Sequence, residues 1–197
     1  MRIRGPMYLH DLDDGPEATA RAFLSALNAG DWNGTAALVH PGTVERFREW
    51  IVEQLGREDD GEAPDESGDT EFFDARSLLG MHDVSEAEAL TPTELLARFA
   101  AAVGPRAIER MLCDSDPALF LATRDCRVVR TFLACRREGG DRAHAEYRTE
   151  WYFAGRQNQT MGGTHVLQLA LSADAWRVLD ADLSGHGTGH ILPPTQR

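Results

Sequence analysis

A chain of 197 residues with 42% hydrophobic content can bury a core without covalent staples, and its cysteines, Cys113, Cys126 and Cys135, are odd in number and lack C-x-x-C spacing, so neither a disulfide framework nor a zinc ribbon is expected. The formal net charge is −12 and all 20 basic residues are arginines; phosphate neutralisation supplies most nucleic-acid affinity, so this balance argues against DNA or RNA as partner. No apolar run approaches the ~20 residues that span a bilayer, and the opening "MRIRGPMYLHDLDDG" lacks an apolar h-region, so a soluble, cytoplasmic protein without membrane contact is expected.

Gly15 and Pro16 open a predicted helix whose apolar positions Ala20, Phe23, Leu24 and Leu27 follow i, i+3, i+4, i+7, with Gly30 available to close it in a left-handed conformation. Asp31 is then placed to N-cap a short helix, "WNGTAALVH". After Pro41, "TVERFREWIVEQLG" sets Val44, Phe47, Ile51 and Leu55 on one face and stops at Gly56. Residues 57–71, "REDDGEAPDESGDTE", hold eight acids and one base and read as a flexible acidic loop. Helical signals return within residues 72–112: Thr91, Pro92 and Glu94 form a capping box for "TPTELLARFAAAVG", Gly104 ends it, and "RAIERML" forms a shorter helix beyond.

The last third is predicted to be β. The runs "CRVVRTFLACR", "HAEYRTEWYF", "THVLQLALS" and "AWRVLDADL" are joined by hairpin-like connections, giving an α+β domain with an antiparallel sheet of four strands after a helical half. In the first hairpin, pairing positions that sum to 280 sets Val129, Thr131, Leu133 and Cys135 opposite Trp151, Thr149, Tyr147 and Ala145, with Arg130 opposite Glu150 on the other face and a Gly139–Asp141 loop. The third strand adds His165, Leu167, Leu169 and Leu171 to the aromatic face. Two registers stay open for the last strand. A connection through Ser172–Ala175 places Leu171, Leu169, Leu167 and His165 opposite Trp176, Val178, Asp180 and Asp182; a shorter one turns Arg177, Leu179, Ala181 and Leu183 to that face.

A first helix ending in "GDW", a short helix leading to "ALVHP", and four strands ending in "WRVLDADL" together resemble the nuclear-transport-factor-2-like superfamily, over residues 16–56 and 126–183. The resemblance implies one cone-shaped α+β domain over residues 1–197, with a curved sheet and an internal pocket, in which the acidic loop and the helical segment 72–112 are an insertion relative to the compact members. It points to a superfamily that includes ketosteroid isomerase, scytalone dehydratase, limonene epoxide hydrolase and polyketide cyclases beside members that only bind small molecules or proteins, so fold alone leaves function open. Several of these enzymes place a catalytic carboxylate shortly after the "hP" element. Here "VHPGTVERF" has Gly42 and Thr43 there, and Glu45 is the first acid.

The candidate catalytic residues are His165 with Asp182 or Asp180, an imidazole oriented by a carboxylate for acid–base work. The alternative is a partly solvated His165 at the strand's start with both aspartates facing water. Tyr147, Trp151, Phe153 and Trp176 are the candidate ligand-binding residues, or simply core. Glu146, Arg148 and Glu150 with Arg130 are expected on a solvated or dimer-contacting face. His186 and His190 lie in residues 184–197, a glycine-rich tail expected to be mobile, and neither a metal nor a cofactor is expected. Three functions follow: a domain binding a small hydrophobic molecule and forming a homodimer through the sheet's outer face; a cofactor-independent lyase, isomerase or cyclase using the His–Asp pair; and an acidic protein-interaction module relying on residues 58–71.

Overall fold

The computed structural model describes residues 15–59, 76, 79–113, 127–152, 161–181, 183 and 191. Helices α1 (Pro16–Ala29), α2 (Trp32–Ala37), α3 (Pro41–Asp59), α4 (Val84–Glu88) and α5 (Pro92–Cys113) precede strands β1 (Arg127–Arg137), β2 (Arg142–Tyr152), β3 (Met161–Ser172) and β4 (Ala175–Asp180). The strands form one antiparallel sheet in the order β1-β2-β3-β4, curled but not closed. The fold is α+β.

Local chemistry explains the helix ends. Proline opens α1, and Gly30 closes it at φ 68°, letting the Gly30 N–H reach the Leu27 carbonyl at 3.3 Å and the Asp31 N–H reach that of Ala26 at 2.9 Å. The Asp31 carboxylate caps α2 by accepting from the Gly34 N–H at 2.9 Å. Before α5, the Thr91 hydroxyl accepts from the Glu94 N–H at 3.3 Å while Glu94 accepts from the Thr91 N–H at 2.8 Å, the reciprocal capping box. Two stop signals are overridden. α3 runs past Gly56 to Asp59, so the expected loop starts later than residue 57, and α5 continues through Gly104 and Pro105 to Cys113. An interior proline removes one helix hydrogen bond. Leu95, Leu96, Phe99, Ala100 and Val103 bury the turns of α5 that precede it, and the helix packs on α2 and α3.

The register of the first hairpin is as expected only near its turn. Cys135 pairs with Ala145 and Arg137 with Ala143, but a one-residue shift between Phe132 and Ala134 then puts Phe132, Arg130 and Val128 opposite Tyr147, Thr149 and Trp151. Leu133 is the extra residue of a β-bulge and stands 45% exposed. Arg130, expected opposite Glu150 on the outer face, is instead only 7% exposed. Asn28 and Leu183 hold it there through three hydrogen bonds. The Asn28 side chain of α1 donates to the Arg130 carbonyl and accepts from the Arg130 N–H, both at 2.8 Å, and the guanidinium donates to the Leu183 carbonyl at 2.7 Å.

At the last hairpin, Ala173 and Asp174 form the turn, with Leu171 opposite Trp176 and Leu169 opposite Val178, the first of the two registers. A one-residue shift between Leu169 and Gln168 then moves Asp180 opposite Gln168 instead of Leu167. α1 lies across all four strands. Its buried Phe23, Leu24 and Leu27 join Phe47, Ile51, Leu55, Tyr147, Leu167, Leu169 and Val178 in one continuous core. No helix among the described residues is long and apolar enough to cross a membrane.

Candidate functional site

The β2–β3 register decides which polar side chains meet on the inner face. Tyr147 lies opposite His165, and Thr149 opposite Gly163, while on the other flank Arg130 lies opposite Thr149. Two adjacent cross-strand rows result, Phe132–Tyr147–His165 and Arg130–Thr149–Gly163. Side chains directly opposite one another have Cβ atoms roughly 4.5–5.5 Å apart.

The imidazole of His165 stacks on the phenol ring of Tyr147, with centroids 5.4 Å apart and planes 29° apart. A Cβ on Gly163 would lie 3.3 Å from His165 Nε2, so the ring reaches over the glycine toward the row that holds Thr149. Any side chain at Gly163 would crowd it. Gly162 is required for a different reason: a Cβ there would stand 2.1 Å from the Thr149 carbonyl oxygen. The "GG" at the start of β3 thus permits both the close approach of β2 and the placement of the imidazole.

Thr149 is fully buried, and its hydroxyl has no hydrogen-bond partner among the described residues. Tyr147 is also fully buried, whereas His165 is half-buried. The arrangement joins a hydroxyl, a phenol and an imidazole, with a buried guanidinium on the neighbouring strand. Such a set can donate to, accept from and orient a polar group entering from the His165 side.

The other expected residues are placed as follows. Asp180 is 7% exposed, on the same buried side of β4 as Trp176 and Val178. Trp176 is buried, with the Arg137 guanidinium 5.5 Å from its ring centroid, and its carbonyl accepts from the Thr19 hydroxyl at 3.4 Å. It belongs to the contact between α1 and the sheet. Trp151 holds its strand position opposite Val128 and Met161. Phe153, Asp182, His186, His190 and residues 60–71 of the acidic stretch lie outside the described residues, as does the tail apart from Ile191.

Two surface depressions among the described residues are lined by residues other than Tyr147, Thr149, His165 and Trp176. One, of about 560 Å³, lies against Glu138, Arg142, His144, Glu146, Val166 and Gln168; the other, of about 180 Å³, lies against Pro16, Glu17, Cys135 and Arg137. On the outer face His144 Nδ1 and Glu138 Oε1 are 2.9 Å apart, and Arg148 Nε stands 3.6 Å from Glu150 Oε1, exposed pairs worth under ~1 kcal/mol each. Burial, and then the nearby Glu17 carboxylate, push the Cys135 thiol above its ordinary pKa, which makes it a poor nucleophile. Among the described residues no group of three or more His, Cys, Asp and Glu side chains is arranged to hold a metal ion.

The sequence contained signals for two features that simple alternation missed. "FLA", Phe132 to Ala134, is an apolar run that cannot alternate between two faces, and it is the trace of the bulge that turns Arg130 inward. The glycine pair facing Thr149 and Glu150 marks a close backbone approach. Comparisons with protein-family models, with curated proteins and with solved structures find no match to this chain.

Proposed function

We propose that this chain is a small-molecule-binding domain whose ligand seats a polar atom between Thr149 and His165, against the ring of Tyr147. The observation that carries the reading is the Thr149 hydroxyl, buried without a partner among the described residues and facing a row into which the imidazole reaches. An unsatisfied buried hydroxyl costs about 1–3 kcal/mol, and a native site that tolerates this cost calls for a functional reason. A ligand oxygen or nitrogen at that point recovers the hydrogen bond. Tyr147, which pairs across the strands with Phe132 and His165, belongs to the apolar core, so the ligand proposed is a compact, largely hydrophobic molecule with one polar group. The order of elements read from the sequence resembles that of cone-shaped domains of the nuclear-transport-factor-2-like type, and that resemblance motivates the same reading.

A second reading, acid–base catalysis by His165, is favoured by one geometric fact: the imidazole is half-buried and held by stacking on Tyr147, the setting in which a histidine is oriented for proton transfer. Asp180 and Asp182 remain the carboxylates proposed to orient it.

Native mass spectrometry of the purified protein beside a denatured control tests the binding reading and reads the proposed homodimer in the same spectrum. A co-purified mass present in the wild type and absent from Thr149→Val and His165→Ala is the expected outcome. A protein that stays empty, and shows no thermal shift with small apolar compounds carrying a carbonyl or hydroxyl, would overturn it.

A further inference from the structure

The segment joining α2 to α3 straps the helices to the edge of β4. The Val178 N–H donates to the Leu38 carbonyl at 2.9 Å, the His40 N–H donates to the Val178 carbonyl at 2.7 Å, and the Thr43 hydroxyl donates to the Leu179 carbonyl at 3.0 Å. His40 also caps α3. Its carbonyl accepts from the N–H groups of Thr43 at 2.8 Å and Val44 at 3.1 Å, and its Nδ1 accepts from the Gly42 N–H at 3.1 Å. One residue therefore serves the strand edge with its backbone N–H and the helix start with its ring.

Nδ1 accepts only while it carries no proton, so this cap requires a neutral imidazole with its hydrogen on Nε2. We propose that Leu38–Thr43 is an acid-released latch, in which protonation of His40 ejects the Gly42 N–H from the ring, frees the start of α3 and loosens the strap from Val178. The surroundings oppose the imidazolium. Arg46 of α3, whose Nε donates to the Gly42 carbonyl at 3.1 Å, and Arg142 of β2 both bear on the ring as like charges. On β4, Arg177 and Asp180 flank the two residues that the strap engages.

Burial, then Arg142, then Arg46 hold the His40 pKa below its ordinary value. The sign follows. The unfolded chain binds the proton more tightly, so this contribution to folding is fully present above the unfolded value of about 6.5 and is lost as pH falls through the lower folded value.

The test is amide hydrogen exchange, read by NMR on the full chain between about pH 8 and about pH 5, as protection factors for His40, Gly42 and Val178. A second sample carries His40→Asn, which caps a helix without titrating. The three amides are expected to lose protection together, about five- to tenfold at Gly42 given the usual strength of a cap, with the midpoint of the His40 titration, and the loss is expected to vanish in His40→Asn. Protection unchanged through that titration, an equal loss in His40→Asn, or imidazole nitrogen shifts showing a protonated Nδ1 at neutral pH would each overturn the latch. The wild-type titration decides alone if the variant does not fold.

Discussion

Thr149 is the residue at which stability and proposed function pull apart. Valine has nearly the same shape and no hydroxyl, so Thr149→Val removes the buried unpartnered oxygen without opening a cavity. The variant is expected to unfold about 1 kcal/mol later than the wild type in a urea titration while losing any co-purified ligand. A variant that is both less stable and unchanged in ligand content would contradict the site. The sequence made part of this legible, because alternation alone puts Tyr147 and Thr149 on one face of β2 and His165 on the matching face of β3. What it did not carry is the company they keep. Arg130 alternates with the outward set in the one-dimensional pattern, and its inward position depends on one inserted residue, Leu133.

At the scale of elements, that insertion is held by α1. The Asn28 amide meets the N–H and carbonyl of Arg130 at the open edge of β1, two hydrogen bonds that replace a neighbouring strand. Asn28→Ala is expected to cost about 1–3 kcal/mol, seen as an earlier denaturant midpoint, because both backbone groups lose their partner and the bulged register loses its clamp. A shift under a few tenths of that size would mean water replaces the amide freely. The β3–β4 turn offers a change of opposite sign. Ala173 sits at φ 53°, a region that costs an L-residue with a Cβ about 1 kcal/mol, so Ala173→Gly is expected to raise the melting temperature, and a fall would mean that chain entropy dominates. The starts of α1, α2, α3 and α5 were readable from the sequence because caps are local chemistry; the far ends of α3 and α5 were not, since both helices run on past the glycines that signal a stop.

For the whole molecule, a net charge of −12 on a chain with 32 acids and 20 bases implies self-repulsion in the compact state. Added salt shortens the screening length to about 10 Å at 0.1 M and about 3 Å at 1 M, so the melting temperature is expected to rise with sodium chloride over this range. A fall would show that ion pairs such as Arg21–Glu17 outweigh the repulsion. By itself the sequence determined the α+β class, the starts of α1, α2, α3 and α5, the Gly139–Asp141 loop and the inward face of β2. Each of these is set by residues within a turn or two of one another, where capping, φ preference and alternation act directly. Only the tertiary structure decided the two bulges, the inward Arg130, the overlay of His165 on Gly163 and the strap of Leu38–Thr43 on β4. Each of these joins residues far apart in the chain, and a single inserted residue in a strand reverses which side chains share a face.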